Sequence, residues 1–356
     1  MRFAIAIPTD AASWRLVRRA EELGFHRAWF FDTQMLSADP FVAMAAAAMK
    51  TTTMRLGTGV LIPSNRIAPV AANGFASLNK LAPGRIDFGV GTGFTGRRAM
   101  GLGAIKLADM ETYITTVTAL LAGETIEAEI EGKRRLIRLL NPELGLINTR
   151  DPVGLYVAAS GPKARQLAAR LGAGWIATAA DAAAGAALVQ EMRAAWTAAG
   201  HDGTAREAIV LAGGVVLAEG EPADSPRAIA QAGPGAAMLL HRAADAALMG
   251  WPAMAGIAPE LEAPVRGYIE LARSFRPQGA PYLENHRGHL MFVKEEERRF
   301  ITAELIRRTS LAATEREIIE RIAALAAAGY DEIALRIAPG QEHAIEDWGR
   351  IRRAFP

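Results

Sequence analysis

Short apolar runs alternate along the chain with longer stretches whose apolar residues recur at helical spacing. Residues 3–7 are apolar and end at Pro8, and residues 12–23 follow with helical periodicity that closes at Gly24. The pairing recurs. Further strands are predicted over 28–31, 55–61, 86–90, 154–158, 174–177, 209–217 and 332–337, with helices over 43–49, 70–81, 107–121, 162–171 and 182–199. Before the last strand, Thr314-Glu315-Arg316-Glu317 has capping-box form, and the helix it opens runs to Ala328 and stops at Gly329. Each helix must return the chain to the same sheet edge, so the strands are expected to pair in parallel. A doubly wound sheet and a closed barrel share this alternation, and both place ligands at the carboxyl ends of the strands. Two segments break the pattern: 124–151 is expected to be an extended excursion or hairpin, and 225–309 an irregular, mostly helical excursion punctuated by Pro and Gly.

Composition narrows the function classes. Hydrophobic residues make up 51% of the chain and charged residues 22%, enough apolar material for a large core and too little charge for disorder. Lys plus Arg total 40 against 38 Asp plus Glu, so no strong positive field exists to hold nucleic acid. The basic clusters Lys133-Arg134-Arg135 and Arg307-Arg308 carry no interleaved aromatic platform, and are read as solvated faces. The absence of Cys excludes disulfides, thiol nucleophiles and Cys-ligated metals. The N-terminal MRFAIAIPTD lacks a secretory pattern, and no apolar run reaches about 20 residues. A cytoplasmic protein without membrane contact is expected.

Directly after the fourth strand comes Gly91-Thr92-Gly93-Phe94-Thr95-Gly96, which matches G-x-G-x-x-G. A dinucleotide loop would open a helix at once, whereas here Gly101 and Gly103 follow and helical periodicity starts only near Leu107. An NAD(P)-dependent dehydrogenase built on this loop is therefore the rival enzyme reading, not the leading one. Close approach of backbone N–H groups to a phosphate survives that rejection. A second candidate, Ser160-Gly161-Pro162-Lys163, joins a glycine to a proline suited to the first helical position, with a hydroxyl and a cation beside them. Two anion-competent loops on neighbouring strands point to one shared phosphate.

The densest polar cluster is Tyr282-Leu283-Glu284-Asn285-His286-Arg287-Gly288-His289. His286 and His289 would share one face of a helix, and imidazole moves protons near neutral pH, so both are candidate catalytic groups. No metal-ligand pattern accompanies them. Asp32, at the end of the second strand, could orient substrate or cap a loop. Arg97 and Arg98 could reach an anionic cofactor tail or lie in a solvated loop, Asn65 and Arg66 are weaker candidates of that sort, and Trp29 is expected in the core.

RAWFFD at 27–32, RLGTGVLIPSNRIAPV at 55–70, LAPGRIDFGVGTG at 81–93, ALLAGE at 119–124 and LYVAASGPKARQLAARLGAGWI at 155–176 together resemble the luciferase-like monooxygenase superfamily. That family includes bacterial luciferase and the deazaflavin F420-dependent reductases. The resemblance implies an α/β fold, a (β/α)8 TIM barrel with insertions, here as one domain over 1–356. It implies a cofactor phosphate gripped by Thr92 and Gly93 with Ser160, Gly161 and Pro162, Gly91 and Lys163 adjoining, and a bulged third strand whose Gly59-Val60 peptide is cis behind the ring. Some F420-dependent members carry His after the second-strand Asp and Glu after the loop glycine. Here Thr33 and Phe94 stand there, which sets the sugar-dehydrogenase chemistry of that branch in doubt.

The expected function is a flavin- or deazaflavin-dependent reductase or monooxygenase acting on a small organic substrate, with reduced FMN as first cofactor and coenzyme F420 as the alternative. A non-catalytic flavin- or F420-binding protein is the non-enzymatic rival. Expected partners are the small-molecule substrate, a separate flavin or F420 reductase, and further copies of the chain in a homo-oligomer.

Overall fold

In the computed structural model, which describes residues 1–178, 182–251 and 256–355, the apolar runs become strands. They are β1 (Arg2–Ile7), β2 (Arg27–Phe30), β3 (Arg55–Thr58) and β4 (Ile86–Val90), then β5 (Ile126–Ile130) and β6 (Lys133–Ile137), which pair as an antiparallel hairpin in the first expected insertion. β7 (Gly154–Ala158), β8 (Gly174–Thr178) and β9 (Ala208–Ala212) follow, then β10 (Gly214–Leu217), β11 (Leu311–Thr314) and β12 (Glu332–Arg336). Eight of these close a barrel in the order β1-β12-β9-β8-β7-β4-β3-β2, with β1 also paired to β2. All eight junctions are parallel. Closure rules out an open doubly wound sheet, and with it the Rossmann reading of the glycine loop.

Period-two alternation decides what faces the lumen. Ala4, Ala6, Trp29, Tyr156, Ile176, Ile209 and Ala334 meet inside the barrel. Their neighbours Phe3, Ile5, Phe30, Leu56, Phe88, Val157, Val210 and Leu335 pack outward under the helices. Trp29 needs space that glycines supply: a Cβ at Gly57 would lie 2.6 Å from its ring. The Thr314 capping box is present, and its helix spans Glu315–Ala328 before Gly329 at φ 112°.

The strand predicted over 209–217 divides at Gly213. β9 stays in the barrel, while β10 turns away and pairs in parallel with β11. The second excursion leaves from that outer pair and returns to it, through helices Pro226–Met249, Glu262–Ala272, Tyr282–His286 and Ala303–Thr309 around an apolar cluster of their own. Residues 252–255 of it lie outside the described residues. The helix Pro226–Met249 runs through Pro234, where sequence alone reads a break; the buried face of Ala232, Ala236 and Leu240 outweighs the local preference. Among the described residues no helix is long and apolar enough to cross a membrane.

Candidate active site

β4 and β7 are neighbours, so their exit loops emerge side by side. Gly91 packs against the third-strand bulge, since a Cβ there would lie 2.7 Å from Val60 Cγ2. The Gly59–Val60 peptide is cis. Gly93, at φ 81°, opens a short helix at once, Phe94–Arg98. That corrects the expectation of helix only from Leu107: Gly101, at φ 74°, follows the five-residue helix and breaks the periodicity that sequence reading relies on. The adjoining Thr92 is held by a bond from Ile105 N–H to its carbonyl, 3.1 Å.

After β7, Ser160, Gly161, Pro162 and Lys163 are all exposed. Gly161 is the extended N-cap of the helix Pro162–Arg170 and offers no side-chain cap, and nothing lies within 4 Å of where its Cβ would be. The free N–H groups and positive end of that helix thus face open space, an arrangement suited to a phosphate.

Three predicted residues are occupied elsewhere. Asp32 is buried and accepts from Ile62 N at 2.9 Å and Asn65 Nδ2 at 3.0 Å, so it ties the β2 exit to the β3 exit. Burial pushes its carboxyl up. Of the two roles expected for it, its bonds serve the loops. Arg97 donates from Nε to Gly103 O and from Nη1 to Ser64 Oγ at 2.8 Å, bracing the glycine loop. Arg98 is buried against Asp245 at 2.7 Å and stacks 3.6 Å from the Phe94 ring centre, so its charge is already paired within the protein.

His286 and His289 do not share a helix face, because the helix ends at His286 and Gly288 turns the chain at φ 76°. Both are nonetheless buried in one polar network. His286 Nε2 faces Asp245 at 3.1 Å, and its Nδ1 has no partner. His289 Nδ1 lies 2.7 Å from His241 Nδ1, and His241 Nε2 lies 3.0 Å from Glu297 Oε2. Glu297 also faces Lys294 Nζ at 3.2 Å and accepts from Lys294 N–H at 2.8 Å. Burial pushes the Glu297 carboxyl up and Lys294 down, and their contact keeps them as an ion pair.

This chain of contacts assigns the protons. A carboxylate only accepts, so His241 donates from Nε2 and its Nδ1 carries a lone pair. His289 then donates from Nδ1, leaving Nε2 as a free base 3.4 Å from Thr95 Oγ1 on the glycine-loop helix. Burial holds both imidazoles well below the usual histidine range, so they are neutral at pH 7.

Several residues of the site escaped sequence reading. His241 and Asp245, one helical turn apart on an otherwise Ala-rich face, were the available signal for the network. Leu290, at φ 65°, packs with Val60, Ala158 and Leu211 against the lumen cluster, so the segment after His289 reaches over the barrel mouth. Arg336 ends β12 in the inward register of Glu332 and Ala334, a pattern visible as E-x-A-x-R.

The chain is 41% identical over 143 residues, 38% of this chain and 40% of the relative, to an F420-dependent glucose-6-phosphate dehydrogenase of Beutenbergia cavernae. It is 33% identical over 199 residues to an F420-dependent hydroxymycolic acid dehydrogenase of Mycobacterium tuberculosis, covering 52% of this chain and 53% of the relative. The aligned segments thus span about half or less of these relatives. In fold, it superposes with TM-score 0.70 and 19% identity on the coenzyme F420-dependent tetrahydromethanopterin reductase of Methanopyrus kandleri, over 100% of this chain and 99% of that one. The sequence profile of the luciferase-like monooxygenase family matches residues 8–332. The chain therefore belongs to the luciferase-like monooxygenase family.

Proposed function

We propose that this chain is an F420-dependent oxidoreductase that moves a hydride between the deazaflavin and a small organic substrate. The observation that carries this reading is the open, uncapped helix start at Gly161 beside the glycine loop on β4, next to the bulge at Val60. The names of the relatives favour F420 over the FMN to which sequence reading leaned. The site residues fit such a group. Thr92, Gly93, Ser160, Gly161 and Pro162 would hold its phosphate, and the backbone at Gly59-Val60 would back its ring. When bound, the deazaflavin supplies the hydride donor or acceptor.

The rest of the chemistry falls to the chain's own groups. His289 presents an unprotonated Nε2 next to Thr95, and would take the proton of a substrate hydroxyl as its carbon gives up hydride. His241 and Glu297 hold it in that tautomer, and the proton returns by the same atom in the reverse direction. The segment through Leu290 would keep water from the reacting carbon.

The test is equilibrium titration of the purified chain with F420 and with FMN, followed by turnover with alcohols and ketones. Saturable F420 binding that Gly161→Asp abolishes is the expected result, because the added carboxylate would face the phosphate. Preference for FMN with oxygen consumption would favour the monooxygenase reading, binding without turnover on any substrate would favour a storage role, and binding of neither would overturn the proposal.

A further inference from the structure

Among the lumen residues, Arg336 carries a charge that the protein does not answer. Its Nε is buried without a hydrogen-bond partner, and no ion pair involves it among the described residues. Among the described residues its side chain makes one polar contact, to Met238 Sδ at 3.6 Å. Glycines border it: a Cβ at Gly235 would come within 2.6 Å of Nη1, and Gly213 lies on its other side. Burial lowers its pKa to about 10, so the guanidinium is still charged at neutral pH. The residue as a whole is half-buried, and a half-buried cation without a counter-ion is one that an anionic ligand can complete.

Its place in the barrel says which ligand. β12 is parted from the β4 and β7 loops by β9 and β8 on one side and by β1, β2 and β3 on the other. Arg336 therefore stands across the mouth from the phosphate grip and does not serve it. It stands close enough to His289 for its charge to act on that imidazole. Arg98, a buried cation near the mouth, is already neutralised by Asp245.

We infer that Arg336 anchors an oxyanion of the substrate, a carboxylate or a phosphate monoester, and so sets the reacting carbon beside His289. The planar fork of the guanidinium suits either group through two parallel hydrogen bonds. The substrate class is then a small hydroxy or oxo compound bearing one such anion. This assignment rests on the reading of the mouth as the active site, yet anion binding is measurable without cofactor or turnover.

The experiment is calorimetric titration of the full chain with inorganic phosphate and, separately, with acetate, in wild type, Arg336→Gln and Gly161→Asp. The expected result is a saturable site that weakens about tenfold or more in Arg336→Gln and survives in Gly161→Asp. The preferred probe tells a phosphate monoester from a carboxylate. Thermal unfolding of Arg336→Gln and Arg336→Met is expected at or above the wild-type midpoint, since each relieves an uncompensated charge. No saturable heat with either anion overturns the proposal, as does equal binding in Arg336→Gln or loss only in Gly161→Asp. Collapse of the fold in both Arg336 variants would also overturn it, by showing that the guanidinium holds the barrel together. Failure to bind F420 with the anion site intact would sink the cofactor assignment alone.

Discussion

At the floor of the lumen Arg27 meets Asp87 at 2.9 Å, Glu207 at 3.0 Å and Glu332 at 3.1 Å, whereas at the mouth Arg336 meets no carboxylate among the described residues. Arg55 adds a second cation to the floor, 2.5 Å from Asp87, and Trp29 and Tyr156 donate into the same carboxylates. Burial opposes the charge on Arg27, but Glu332 and Asp87 outweigh it and hold the guanidinium ionised. At the mouth, Arg336 is left uncompensated and His289 Nε2 has only the long contact to Thr95 Oγ1. Both ends bury polar side chains on inward strand positions. The difference is whether carboxylates of the protein face the guanidinium, and a cation without one is available to an anionic ligand.

Breaking the floor should cost most. Arg27→Met leaves Glu332 buried without its cation and Asp87 with Arg55 alone, and urea unfolding should show a loss of about 3–5 kcal/mol. A loss below about 1 kcal/mol would mean that the floor is no more committed than the mouth. At the mouth the large effect should be kinetic instead: His289→Ala should lower turnover roughly a hundredfold or more while F420 titration stays close to wild type. Unchanged turnover would make His289 a packing residue.

Acid should reach the mouth histidines and the floor carboxylate Glu207 in separate pH windows, with His26, which burial beside Arg27 lowers to about 4, adding to the first. His241 and His289 are depressed in the fold by burial, so the unfolded chain binds protons there that the native chain does not, and stability falls as pH drops below about 6.5. Each contributes about 1.4 kcal/mol per pH unit below that point. At the floor, burial pushes Glu207 up but Arg27 and Tyr156 outweigh it and hold it down to about 2. Its contribution is complete above the ordinary value of 4.5 and is lost as pH falls from there toward about 2. Chemical denaturation at pH 7.5, 5.5 and 3.5 should show the first loss before the second, and His289→Ala should flatten the first alone. The smallest expected change is Thr95→Val. The contact to His289 Nε2 is long, 3.4 Å, and its loss should alter turnover by less than about 1 kcal/mol in steady-state kinetics.

Much of this protein was set by local chemistry that sequence displays. The eight barrel strands, the hairpin insertion, the capping box at Thr314 and the uncapped helix start at Gly161 follow from alternation, turn residues and caps that act over a few positions. What tertiary structure alone decided lies where distant segments meet. Closure of the barrel depended on β1 pairing with β12, 330 residues apart at Arg2 and Glu332. The Pro226–Met249 helix persisted through Pro234 because its apolar face is buried, and that burial is what carries His241 and Asp245 to His289 and His286. Asp32 and Arg98 looked equally open to a ligand in sequence, and became loop brace and buried ion pair only when Ile62, Asn65 and Asp245 were brought beside them. Whether a charged side chain is completed or left open is a property of its neighbours in space, and spacing along the chain does not encode it.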